Sequence, residues 1–313
     1  MNKLLSLTTL ALASAALAAY PVSVQNCGNT LTFSNAPKRV VSLFPPTTEM
    51  LLRLGLDQKI VGISAKGASP VQRDLQAREA RLKALGPFGV TKEVMLSARP
   101  DLVIDNQPSY FYDSKQGFAT QAELKANGAQ VYSMTSQCPG NTRPTIENVY
   151  TDLANLGRIF GVEGRANLII SGMKRTVADV QDRIKGETPV RVLFYFSGQG
   201  PFEVWTEGSR DFTIQLAGGR NVFPAEPQGF ASVGAEAVAA SNPDVIVVAD
   251  YADPSGKTTT QSRVDFLKKT FPNVNAVRNN RVIAVPYEQM NPGVQNARGV
   301  LTLAKAFYPG RFK

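Results

Sequence analysis

The 313-residue sequence predicts an α/β protein of two Rossmann-like lobes joined by one long rigid helix. Three observations lead there. Short apolar runs alternate with helix-like segments through both halves of the chain. The runs are continuously apolar, as strands buried on both faces of a parallel sheet must be. Between the halves lies an uninterrupted amphipathic stretch. With 43% hydrophobic residues, a chain of this length suits two cores better than one.

In the first half, Arg39-Phe44, Lys59-Ser64, Asp101-Ile104 and Gln130-Met134 read as buried strands, with helices at Thr47-Leu54, Thr91-Ala98 and Thr120-Ala126 between them. The second half repeats this grammar. Strands are expected at Val190-Phe196, Asp244-Ala249 and Arg281-Val285, and helices near Asp211-Ala217, Gly234-Ala240, Arg263-Thr270 and Gly293-Ala306. In the connecting stretch, Leu153, Leu156, Ile159 and Phe160 recur at helical spacing before Gly161. Ala166, Ile169, Ile170, Met173, Val177, Val180 and Ile184 do so after Glu163. A helix over Glu163-Lys185 would reach about 35 Å, enough to bridge two lobes, and a continuous helix resists bending. The expected divisions are a signal at residues 1–19, an N-terminal lobe at 20–145, connecting and bridging helices at 146–187, and a C-terminal lobe at 188–313.

The signal reading rests on Lys3, an apolar centre from Leu4 to Leu17 and the Ala16-Leu17-Ala18 ending. The apolar segment is short for a bilayer span of about 20 residues, and Val24-Gln25-Asn26 before Cys27 lacks the small residues of a lipoprotein cleavage site. The mature protein is therefore expected to be soluble, monomeric and periplasmic or otherwise extracytoplasmic. Export places Cys27 and Cys138 where disulfides persist, and they are expected to pair. The net charge of +9, or +8 once Lys3 has left, is spread without a basic run; this argues against nucleic acid and leaves simple solubility or an anionic ligand as its reason. The chain has no histidine, which excludes the common hydrolytic triads and His-rich metal sites. What metal chemistry remains must use oxygen donors or come prepackaged in a ligand, and no cofactor is expected.

Pro45-Pro46 ends the first strand, because proline lacks the N–H a central strand needs yet fits the first turn of a helix. Thr47 or Thr48 is the expected cap. Glu49 is then expected as an exposed first-turn acid, favoured there by the helix dipole.

Six segments, NAPKRVVSLFPPTTEMLLRLGLDQKIVGIS, LSARPDLVI, LGRIFGVEGRA, LAGGRNVF, GAEAVAASNPDVIVV and NAVRNNRVIAVP, together resemble the class III substrate-binding proteins of ABC importers. These are receptors for ferric siderophores, haem, cobalamin and some bare metals. The resemblance runs from about Tyr20 to Pro309 and implies a bilobal receptor that docks on a membrane permease dimer. It also implies a docking glutamate on each lobe, at the matching positions Glu49 and Glu236.

In such a fold the ligand faces the C-terminal ends of the strands. That nominates Phe44, Pro45, Lys66, Tyr110, Tyr112, Tyr195, Trp205, Arg210, Phe230, Tyr251, Tyr287 and Arg298. Aromatic rings give stacking area, and arginines clamp carboxylates or catecholates. Bare zinc or manganese receptors rely largely on histidine, so a chelated iron complex, a ferric siderophore, is the leading ligand. Cobalamin and then haem follow, with Tyr110, Tyr112, Tyr195 or Tyr287 as possible axial ligands to haem. A secreted hydrolase is the rival class, but the chain has no G-x-G-x-x-G, P-loop or G-x-S-x-G motif, and Glu203 and Glu207 alone are ordinary surface spacing. An adhesion module would show repeats, and none recurs at intervals of about 20 to 50 residues.

Overall fold

The structure is a computed structural model that describes residues 20–68, 71–207, 211–226, 229–253 and 256–313. The expected signal at residues 1–19 and the candidate Arg210 lie outside the described residues. The chain opens with a hairpin of β1 (Val22–Asn26) and β2 (Asn29–Phe33). Then come β3 (Val40–Leu43), α1 (Pro45–Arg53), β4 (Ile60–Ser64), α2 (Arg73–Glu79), β5 (Ala84–Gly86) and α3 (Lys92–Ser97). The first lobe ends with β6 (Leu102–Asp105), α4 (Pro108–Phe111), α5 (Gln121–Ala126) and β7 (Gln130–Ser133). Its sheet is parallel, in the order β5-β4-β3-β6-β7. β3 and β6 are buried at every position, which is why both read as unbroken apolar runs.

Two helices follow, α6 (Ile146–Phe160) and α7 (Glu163–Arg183). Thr145 and Asn148 form a capping box at the start of α6, and Gly161 ends it with φ 66°, a left-handed conformation that glycine adopts without a Cβ penalty. The helices then pack closely: a Cβ on Gly157 would lie 2.8 Å from that of Ala166. α7 spans about 32 Å and buries a single stripe of Ala166, Met173, Val177 and Val180.

The second lobe contains β8 (Val190–Ser197), β9 (Phe202–Trp205), α8 (Phe212–Leu216), β10 (Gly219–Asn221), β11 (Phe230–Val233), α9 (Ala235–Ser241) and β12 (Val245–Asp250). After these come α10 (Thr260–Thr270), α11 (Asn275–Arg278), β13 (Val282–Pro286), α12 (Tyr287–Met290) and α13 (Asn296–Phe307). Its sheet runs β11-β9-β8-β12-β13, with β10 also paired to β8. β9 is antiparallel to both β8 and β11, so the segment around Trp205 is a sheet strand rather than a loop. α7 packs on both α6 and α13 of the second lobe. A single apolar cluster therefore runs from Met50 and Leu102 through Leu156 and Val180 to Phe194 and Leu303.

The expected disulfide is present: Cys27, at the β1–β2 turn, bonds Cys138 with a Cα–Cα distance of 5.0 Å across a sequence separation of 111. Asn26 reinforces it, donating to Ser133 O at 2.7 Å and accepting from Ser133 N at 3.0 Å. Changing both cysteines to serine is expected to lower unfolding stability by about 2–4 kcal/mol, because the unfolded chain loses its cross-link. Chemical denaturation with and without reductant measures this.

Two buried acids, Asp105 in the first lobe and Asp152 on α6, make stability depend on pH. Asp105 accepts from Tyr112 Oη and Ser133 Oγ, both at 2.7 Å, and burial pushes it up to about 6. Asp152 accepts from Tyr132 Oη at 2.7 Å and from Thr135 N, and burial pushes it up to about 7. A carboxyl raised in the folded state binds its proton more tightly there than in the unfolded chain. Its contribution is then full below about pH 4 and is lost as pH rises through the folded value. The melting temperature is expected to rise, on the order of 5 °C, as pH falls from 8 to 5. A thermal scan that is flat or falling over that window contradicts this account.

Candidate ligand-binding site

The strand-to-helix corner at Phe44 differs from the expected one. Both prolines lie inside α1, whose N-cap is Phe44 at φ 117°. Thr47 and Thr48 do not cap. Their hydroxyls donate to Phe44 O at 2.8 and 3.2 Å and both meet Ser42 Oγ. The two absent proline N–H groups would have lacked helical partners anyway. The threonines instead tie down a strained residue, whose ring reaches the space between the lobes.

Because α1 starts at Pro45, Glu49 falls in its second turn, and it is 1% exposed. The expectation of an exposed first-turn acid is therefore corrected. Gln295 of the second lobe donates Nε2 to Glu49 Oε2 at 2.6 Å, and Arg53 Nε lies 3.7 Å from Oε1. Burial raises its carboxyl above the usual range in spite of both partners. Glu236 does meet the expectation of position: it is exposed in the first turn of α9.

A cavity of 570 Å³ opens between the lobes. Phe44, Phe88 and Gln107 line it from the first lobe, facing Phe196, Trp205, Phe230, Tyr251 and Tyr287 from the second. The first-lobe wall is built edge to face, with Phe44–Phe88 centroids at 5.5 Å and Phe88–Tyr110 at 5.2 Å. The opposite wall is a stack: Phe196 lies parallel to Tyr251 at 5.0 Å and to Trp205 at 5.6 Å. Arg263 sits 4.3 Å over the Tyr251 ring and donates Nη2 to the carbonyls of Ala249 and Tyr251, fixing the ring's position. Phe88 and Phe230 are 43% and 46% exposed, so large apolar faces remain uncovered on both walls. The acids Glu203 and Asp253 also line the cavity, and no lysine or arginine does among the described residues.

A polar groove of 1140 Å³ adjoins this cavity. Tyr251, Ala252 and Asp253 line both. The start of α2 forms one bank, and α12 with the start of α13 forms the other.

Of the sequence candidates, Phe44, Trp205, Phe230, Tyr251 and Tyr287 meet in the apolar cavity, and Arg298 lies on the polar groove. The other described candidates, Pro45, Lys66, Tyr110, Tyr112 and Tyr195, do not line either space. Pro45 is buried as the first residue of α1. Lys66 points its ammonium at the carbonyls of Ala80 and Leu82, at 2.8 and 2.7 Å. Tyr110 backs Phe88. Tyr112 is a core residue donating to Asp105, and burial with that carboxylate holds its phenol well above its usual value. Tyr195 donates to Gly198 O at 2.7 Å, and burial pushes its phenol up to about 12. Phe88 and Phe196 were absent from the candidates. Phe196 closes an expected strand, so its position at a strand C-terminus was a usable signal; Phe88 sits in a short glycine- and proline-flanked loop with no periodicity to place it.

The lobes also share a local pattern. TKEVMLSARPDLVI leads through α3 into β6, and GAEAVAASNPDVIV leads through α9 into β12. Each helix has an exposed glutamate as its second residue, Glu93 and Glu236. Each following Asp accepts from the backbone of an arginine near the start of a strand: Asp101 from Arg39 N at 2.9 Å, and Asp244 from Arg191 N at 3.2 Å.

Comparison with known proteins agrees with this architecture. An ABC transporter substrate-binding lipoprotein of Bacillus subtilis (strain 168) is 26% identical over 301 residues, covering 94% of this chain and 88% of that protein. A cobalamin-binding protein of Halobacterium salinarum (strain ATCC 29341 / DSM 671 / R1) is 24% identical over 299 residues, covering 92% of this chain and 74% of its own length. A solved periplasmic binding protein from Veillonella parvula superposes with a TM-score of 0.81 at 26% identity, covering 92% of this chain and 97% of that one. The family model described as periplasmic binding protein matches residues 40–288. The chain thus belongs to the periplasmic binding protein family, whose members are transport receptors rather than enzymes.

Proposed function

We propose that this protein is an extracytoplasmic receptor that captures a corrinoid between its lobes and delivers it to the permease of an ABC importer. The aromatic cavity between the lobes carries the reading. Facing rings suit a flat, bulky chelate that brings its own metal coordination. Among the described residues, Glu203 and Asp253 are the ionisable residues other than tyrosines that line this cavity. That lining disfavours an anionic ferric siderophore and the propionates of haem. The Halobacterium salinarum relative, whose name states cobalamin binding, supports the same choice over 92% of this chain.

The permease contact is placed on the two glutamates that the lobes share, Glu93 and Glu236. Burial of Glu49 removes it from any surface, whereas Glu93 stands at the same second helical position as Glu236. The visible absorption spectrum of protein purified from its own host tests the ligand. Corrin bands are expected; a Soret band or a ferric charge-transfer band replaces the corrinoid with haem or a siderophore.

A further inference from the structure

The floor of the polar groove carries two acceptor oxygens with no partner. Glu288 Oε1 and Gln289 Oε1, on consecutive residues of α12, accept no hydrogen bond among the described residues. Both side chains line the groove and both residues are 5% exposed. Buried polar oxygens are costly to leave unpaired, so two together on consecutive lining residues point to donors that arrive with a ligand.

We infer that the groove is a second compartment of the ligand site, in which Glu288 and Gln289 accept hydrogen bonds from uncharged carboxamide arms of the chelate held by the aromatic cavity. This rests on the receptor reading above and adds the chemistry of the ligand's periphery. Four observations support it. The groove and the aromatic cavity meet along Tyr251, Ala252 and Asp253, so one molecule can occupy both. The groove's ionisable lining is mixed, with Asp74, Asp250 and Asp253 beside Arg73 and Arg298, and Asp74 is already paired with Arg53. Arms ending in carboxylate or catecholate bring no N–H to the two acceptors, whereas amides do.

The acceptors are also held still. Asn296 donates Nδ2 to Gln289 O at 3.1 Å and to Asn291 O at 2.7 Å, and a Cβ on Gly299 would lie 2.2 Å from Gln289 O. α13 thus clamps the backbone of α12 at contact distance, and a rigid acceptor pair loses little entropy on binding. Lastly, burial, with Glu49, Asp250 and Glu79 nearby, pushes Glu288 up to about 8. A neutral carboxyl offers one O–H and one C=O, the complement of a primary amide's C=O and N–H.

Isothermal titration of the full mature chain tests this with cyanocobalamin, with its analogue in which the peripheral amides are hydrolysed to carboxylates, and with haemin. Glu288→Leu and Gln289→Leu are each expected to weaken cyanocobalamin binding about tenfold, and Glu288→Gln by less than about twofold because an amide keeps an acceptor. The polycarboxylate analogue is expected to bind the wild type at least about tenfold more weakly than cyanocobalamin. Thermal melts establish that each variant is folded, and the analogue on the wild-type chain needs no variant at all. The inference is overturned if the leucine variants bind cyanocobalamin like the wild type, or if the analogue binds as tightly as the amide form. Binding of haemin but not of cyanocobalamin keeps the receptor reading and overturns this inference, since haem offers no amide. Binding of none of the probes sinks the corrinoid reading, and the inference with it.

Discussion

Alanine at both Phe88 and Phe230 is expected to weaken corrinoid binding about 10- to 100-fold in a protein that still folds. The two rings are 43% and 46% exposed, so nearly half of each is left for a ligand to cover. A ligand between the lobes covers both, and covering that part of a phenylalanine side chain is worth about 0.6–1.4 kcal/mol. They project from opposite lobes, so their losses should add. Calorimetric titration of the single and double variants measures this. Trp205 is a poorer target. It is 5% exposed and lies 4.3 Å from the Phe194 ring, so its loss would disturb the core as well as the cavity. A double variant with wild-type affinity would remove the cavity from the function.

Charge reversal at Glu93 and Glu236 together is expected to abolish uptake into cells and to leave ligand affinity within about twofold. Each glutamate is exposed at the second position of its helix and lines neither the aromatic cavity nor the polar groove. A cationic patch on the permease would meet a pair of acids displayed in equivalent places on the two lobes, and reversal converts attraction into repulsion. Glu49→Arg should behave differently. It forces a guanidinium into a site that is 1% exposed, beside Arg53 and the Gln295 amide, and is expected to destabilise the protein by more than about 3 kcal/mol. Uptake assays paired with titration separate the two. Full transport by the Glu93/Glu236 double variant would show that docking uses another face.

Much of the architecture was legible because it is local. β3, β6 and β12 are buried on both faces and so carry unbroken apolar runs, and Gly161 marks the end of α6 by its own conformational freedom. β9 and β11 were not legible. Phe202–Trp205 is a four-residue strand between turns, recognisable only once β8 and β11 lie beside it. The environment of Glu49 could not be read either, since the partner that buries it stands 246 residues away at Gln295. For the cavity, residue type was visible but address was not. Tyr112 and Tyr251 look alike in sequence, yet one phenol serves Asp105 in the core while the other ring faces the ligand space. The pairing of Glu93 with Glu236 was present in the two Pro-Asp strand openings and needed only the halves to be laid side by side.

α7 bears on how cargo is let go. Because it shares one apolar cluster with both lobes, swinging them apart would tear open a continuous interior rather than flex a joint. The receptor is accordingly expected to hold its slot like a spring clip rather than a hinge. Letting go of cargo is then expected to need force applied from outside on both sides of the slot.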